Sequence, residues 1–119
     1  VIEQSLPGYA GLRLLIDMQW TQDTGLPADK LCHWEATLEY LLSDVATVQA
    51  MCQYDRRLPP AALHAALRTH PYSLYGGRSA PSPFYEAARV LEDEPNFEPC
   101  SNDASLVGQM LREVHPDLT

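Results

Sequence analysis

"MCQYDRRLPPAALHAALRTHP", Met51–Pro71, is the stretch whose reading decides the fold. An apolar run ends in Cys52, Gln53, Tyr54 and Asp55, and two arginines follow. Val45, Val48 and Met51 place the run in a β-rich segment, which predicts a strand over Thr47–Cys52. Pro59 and Pro60 then open a helix, because a first-turn residue has no intrahelical N–H bond to lose. Leu63 and Leu67 give that helix an apolar side over 60–69. His70-Pro71 stops it, since the residue before a proline avoids helical geometry.

The same alternation continues on both sides. Upstream, "GLRLLIDM" (Gly11–Met18) is a short apolar run that suits a buried parallel strand over Arg13–Asp17. "TQDTGLPAD" reads as a loop. Pro27 and Asp29 suit the first turn of a helix over residues 28–43. Leu31, Trp34, Leu38 and Leu41 or Leu42 make its apolar face. Downstream, "YSLYGG" reads as a third short strand, Ser73–Tyr75, ended by paired glycines. Strand, helix, strand, helix, strand predicts the α/β class: a parallel sheet with right-handed crossovers and flanking helices. Three strands make a thin sheet whose edges need covering. A homodimer or a complex with another chain is therefore expected, unless additional N-terminal sequence completes the sheet.

Residues 1–10 read as a frayed helix end and a Pro-Gly turn. Residues 79–103 hold four prolines in 25 residues. Residues 79–100 are expected to lie on the surface without strands, with a short helix near Tyr85–Leu91. "DASLVGQMLREV" predicts a terminal helix with Asn102 or Asp103 as its N-cap. The organisation read here is a domain over 1–86 and an acidic, Pro-rich extension over 87–119.

The chain has 119 residues, 45% of them hydrophobic, as expected for one globular domain. The net charge of −8 is concentrated at the end: residues 86–119 hold eight acids and two bases. An acidic surface repels phosphate backbones, which argues against direct nucleic-acid binding. No apolar run reaches the roughly 20 residues of a membrane span. No signal peptide is visible, although the first residue is Val and a leader can lie outside this sequence. Cys32, Cys52 and Cys100 form no CxxC pair, and their odd number points to a reducing, cytoplasmic setting.

In parallel α/β sheets, ligands bind beyond the carboxyl ends of the strands. Asp17 to Trp20, Cys52 to Asp55, and Gly76-Gly77-Arg78 should line one such rim. Asp55 and His70 are expected there, with Cys52 facing the core. Trp20, Tyr54, Tyr72, Tyr75, Phe84 and Tyr85 suit either core or a site for a small apolar ligand. "LLIDMQW" resembles a Walker B strand. No G-x-x-x-x-G-K-[ST] loop accompanies it, and Lys30 follows no glycine-rich loop, so nucleotide hydrolysis is not expected. No cofactor is implied. His64 and His70 are six apart and share no helix face as zinc ligands would; no metal site is read, beyond one assembled across the fold. A buried Cys52 is more often packing than nucleophile.

Cys52 to Tyr85 resembles the signature of the MEDS domain, a sensory domain named for methanogens, methylotrophs and the dichloromethane-responsive repressor. The family pattern is a C-x-Y-D strand end, a Pro-led helix ending in R-T-H-P, then G-G-R and N-P-F-Y. Cys52, Tyr54, Asp55, Arg68, Thr69, His70, Pro71, Gly76, Gly77, Arg78, Pro83, Phe84 and Tyr85 match it, and Ser82 replaces the usual Asn. Upstream, Asp17, Met18, Trp20 and Glu35 match the family's G-x-R-x-x-x-D-M-x-W strand and W/Y-E-A helix. The resemblance covers about residues 8–86 and reads as the C-terminal part of such a domain. It lacks a preceding G-D-H-x-C-x-x-Y-like stretch with the degenerate phosphate loop.

The resemblance implies a partial RecA-like, clock-ATPase-like three-layer fold without catalysis. It also implies a sensor of small hydrocarbon derivatives that signals through a partner protein in transcription regulation. The ligand-binding residues expected are Asp17, Trp20, Tyr54, Asp55, Arg68, His70 and Arg78. Two other functions fit the residues: an interaction or assembly module without the ligand site, and a redox or metal switch through Cys52 and His70.

Overall fold

The computed structural model describes residues 11–43, 47–86 and 98–118. Strands β1 (Leu12–Asp17) and β2 (Val48–Gln53) pair in parallel, from Leu12 opposite Val48 to Asp17 opposite Gln53. Their connection carries a single helical turn, α1 (Trp20–Asp23), and the long helix α2 (Ala28–Ser43). A third helix, α3 (Pro60–Thr69), follows β2 and begins at the expected Pro59-Pro60 pair. α2 and α3 pack on each other. The molecule is thus mixed α/β, with a small parallel sheet and flanking helices.

The parallel pairing of the first two strands and the bounds of both helices agree with the sequence reading. The stretch read as a loop contains α1, which is closed by local bonds: the Thr21 hydroxyl donates to the Met18 carbonyl (2.8 Å), and Leu26 N–H donates to the Thr21 carbonyl (2.8 Å). The face that α2 buries is rotated from the one expected. Leu31, Cys32, Glu35 and Ala36 are buried, whereas Leu41 is 62% exposed.

The third strand differs from expectation. β3 (Tyr72–Tyr75) does not join the parallel sheet; it pairs antiparallel with β4 (Arg78–Pro81). The cause lies in the glycines between them. Gly76 and Gly77 both take positive φ, 57° and 78°. Two left-handed central residues make a two-residue hairpin turn whose twist matches paired strands. The glycines therefore reverse the chain instead of merely ending a strand. β4 also overturns the expectation that residues from 79 onward carry no strand. The helix expected near Tyr85–Leu91 runs outside the described residues, as do residues 1–10.

The core is continuous from the sheet to the helices. Met18, Leu31, Cys32, Ala36, Leu58, Ala62, Leu63, Ala65 and Val107 form its main cluster. Burying a side chain the size of Met18 or Leu31 stabilises the fold by about 1.5–3 kcal/mol. The last helix, α4 (Ala104–Val114), supplies Val107 to that cluster and, with Leu67, builds a second one from Met110 and Val114. Asp103 caps α4 as expected, its carboxylate accepting from Ser105 N–H (3.0 Å) and Leu106 N–H (3.5 Å). The Arg68 side chain pins the approach to α4, donating to the Glu86 carboxylate (2.8 Å) and to the Glu98 carbonyl. Among the described residues, no helix is long and apolar enough to cross a membrane.

The turn gives a direct test. Replacing Gly77 with Ala should cost about 1–2 kcal/mol in urea unfolding, because a Cβ opposes left-handed backbone. Gly76→Asn should cost less, since Asn tolerates that conformation.

Candidate functional site

Among the described residues β2 is paired on one side only, and it borders a cleft of about 750 Å³. Ala50, Met51, Cys52, Gln53 and Tyr54 line the cleft in unbroken succession. Consecutive residues point to opposite faces of a strand, so a run of five brings the strand's edge into this wall, and Leu15 of β1, opposite Met51, adds part of the sheet face. Leu63, Ala66 and Leu67 of α3 contribute a second wall, and the β3–β4 hairpin a third. Leu111, His115 and Leu118 from the end of the chain complete the lining. The His115 ring is held by the Ser73 hydroxyl, with Nε2 2.9 Å from Oγ.

A polar cluster joins this cleft to the core. Glu35 lies on the buried face of α2, and its side chain has no exposed surface. One carboxylate oxygen contacts His70 Nε2, and the other accepts from the Cys52 thiol (3.4 Å). His70 follows the last residue of α3, where the extended backbone required before Pro71 turns it out of the helix. Cys52, Glu35 and His70 each offer a donor atom, and these atoms lie within 4.8 Å of one another. Tyr54 packs edge-on against the His70 ring at 6.2 Å. Among the described residues its buried hydroxyl makes no well-formed hydrogen bond, and the Glu35 carboxylate lies near it. Burial, and then the nearby Glu35 charge, push the Tyr54 phenol up from its usual range. The same two causes raise the Cys52 thiol.

Of the residues expected to bind a ligand, Tyr54 and His70 line the cleft. Asp17 closes a local turn, accepting from Gln19 N–H (3.0 Å). Trp20 packs against Trp34, ring centroids 5.3 Å apart. Asp55 is clamped by Arg57, whose backbone N–H and guanidinium both donate to it at 2.8 Å. Those bonds hold the Asp55 carboxyl down to about 2. His70 is among the residues lining the cleft and Asp55 is not. Arg68 is buried among Glu86, Glu98 and Cys100. Arg78 forms an exposed ion pair with Asp117 (2.8 Å). Cys52 was expected to face the core; it is half-buried, packing on the core while also lining the cleft. Glu35 was not among the expected site residues. One signal was available in the sequence: Glu35 stands four residues after Leu31, in line with an apolar face.

Behind the site, Cys32 and Cys100 form a second polar contact. Both thiols are free and close enough to shift each other's proton affinity. The Cys32 thiol, aided by the Arg68 guanidinium whose Nη1 donates to Cys100 Sγ at 3.6 Å, lowers the Cys100 thiol to about 7 against the opposing effect of burial. Cys32 is pushed up correspondingly, first by Cys100 and then by burial.

Comparison with known proteins gives one family. The family model described as MEDS, the methanogen/methylotroph, DcmR sensory domain, matches residues 1–71. The match stops at Pro71, so the glycine turn and the Ser82–Tyr85 segment lie outside it. No curated protein matches, and no solved structure matches.

Two outcomes follow from this geometry. His70→Ala should destabilise the chain by about 2 kcal/mol or more in denaturant unfolding, because it leaves the Glu35 charge buried without its partner. Adding Glu35→Gln to that variant should recover part of the loss. Alkylation with iodoacetamide should find Cys100 the most reactive thiol at neutral pH, its rate rising through about pH 7 as the thiolate forms. Cys52 should react slowly over the same range.

Proposed function

The chain belongs to the MEDS family of sensory domains, and on that premise we propose that it is a non-enzymatic sensory module that binds a small, hydrocarbon-derived ligand in the β2-edge cleft. One observation carries this reading. Among the described residues, seven large apolar side chains are exposed, and Leu15, Met51, Tyr72 and Leu74 all converge on the same cleft. Apolar surface gathered around one concavity, with a few polar groups at its floor, is the usual build of a small-molecule site. The cleft volume suits a ligand of modest size. Tyr54 and His70 would give such a ligand orientation, and the aliphatic walls would give it affinity.

The output is a changed contact with a regulatory protein partner or a second copy. β1 and β2 form only a two-stranded sheet, and free strand edges invite pairing with another chain. We read β1, α2 and β2 as part of a RecA-like layered fold that a partner or second copy extends. The charge of −8 favours a protein partner over nucleic acid. Three free cysteines suit a reducing, cytoplasmic setting.

The test is saturable binding of an apolar fluorescent probe, anilinonaphthalene sulfonate, followed by displacement with small halogenated and aliphatic hydrocarbons. Ala66→Trp, which fills the cleft from α3, should abolish probe binding while leaving the unfolding midpoint nearly unchanged. Equal probe binding by wild type and Ala66→Trp would exclude the cleft as the site.

A further inference from the structure

We propose that Glu35, Cys52 and His70 form a binding site for a divalent transition metal of the zinc type, with one coordination position open to the β2-edge cleft. This goes beyond the apolar-ligand reading and does not depend on it. Three separate elements deliver the ligands: α2 brings the carboxylate, β2 the sulfur and the end of α3 the imidazole. Their donor atoms fall within 4.8 Å of one another. Tetrahedral zinc with nitrogen, sulfur and oxygen ligands sets its donors roughly 3.3–3.8 Å apart, so parting His70 from the Glu35 carboxylate, with small shifts of the other side chains, reaches that spacing. One imidazole, one thiolate and one carboxylate are a donor set that zinc accepts.

Charge balance supports the assignment. Glu35 has no exposed side-chain surface, and a bound dication would compensate its carboxylate there. On metal binding the Cys52 thiol gives its proton to solvent and the sulfur binds the ion. The dication, the thiolate and the carboxylate then sum to zero with a neutral His70. The ion takes the place of the direct Glu35–His70 contact.

A second observation points to the same spot. Among the described residues the buried Tyr54 hydroxyl makes no well-formed hydrogen bond and has the Glu35 carboxylate near it, although buried polar groups are ordinarily satisfied. A water or ligand atom in the fourth metal position would supply a partner. Three protein ligands with an open fourth position are the arrangement of a reactive or sensing metal, whereas purely structural zinc sites are closed by four. Cys52, Tyr54 and His70 all line the cleft, so whatever enters it meets that open position.

The experiment is titration of the full chain, stripped with chelator and kept reduced, with Co²⁺ and Zn²⁺. One equivalent of Co²⁺ should bind, with a thiolate-to-cobalt charge-transfer band and the visible absorption of tetrahedral cobalt, and Zn²⁺ should displace it. Cys52→Ser should remove the charge-transfer band. Cys52→Ser and His70→Gln should each weaken binding about 100-fold or more, beyond the effect of losing an outer partner. Cys32→Ser and Cys100→Ser should retain the band, which separates this site from the other thiol pair. Should Cys52→Ser fail to fold by circular dichroism, alkylation of Cys52 in folded wild type is decisive: bound Zn²⁺ must protect it. The proposal is overturned if one equivalent does not bind, if the band depends on Cys32 or Cys100, or if Zn²⁺ leaves Cys52 alkylation unchanged. Failure of the metal with success of the apolar probe would leave the ligand reading standing.

Discussion

A carboxylate with no access to water sets the terms for much of this structure. Glu35 sits where the packing of α2 would favour an apolar residue, and a buried charge is costly unless it is paired. Its partners come from two other elements, Cys52 on β2 and His70 at the end of α3. Helix, strand and helix end are therefore held in one relative position by a single side chain. Apolar contacts alone define that position less sharply, because hydrophobic burial has no direction. The same constraint concentrates chemistry, since every group that answers Glu35 lies at the wall of the cleft.

The cleft itself exists because the third strand leaves the sheet. Had β3 paired with β2, the edge from Ala50 to Tyr54 would be filled by backbone hydrogen bonds. The glycine pair turns the chain into its own hairpin instead, and the strand satisfies its bonds with β4. A polar edge, an apolar hairpin face and the α3 wall then enclose space in place of a third parallel strand. Leu15, Met51, Tyr72 and Leu74 remain exposed around it.

The end of the chain belongs to this arrangement. α4 packs on α3, and Leu111, His115 and Leu118 reach the cleft. Arg68 ties the approach to α4 to α3 through a carboxylate, a carbonyl and a thiol. Occupancy of the cleft, the position of α4 and the state of the Cys32–Cys100 pair are thus physically connected. The family match ends at Pro71, so this connection is built by the part of the chain outside it.

The sequence by itself determined what depends on neighbours along the chain. The strand–helix alternation, the bounds of α2 and α3, the prolines that open α3 and the Asp103 cap were all legible. Each follows from periodicity or from a bond spanning a few residues. The motifs around Cys52 and His70 likewise carried the family. The reversal of the third strand was also encoded locally, in Gly76-Gly77, although the sequence reading has that pair ending a strand. Tertiary structure decided which polar side chains are buried and with whom. Glu35 finds its partners 17 and 35 residues on. Arg68, expected among the ligand residues, is buried against residues 18 to 32 positions on. Such choices rest on which groups a folded core leaves without water. That is a property of the packed molecule, and no local pattern encodes it.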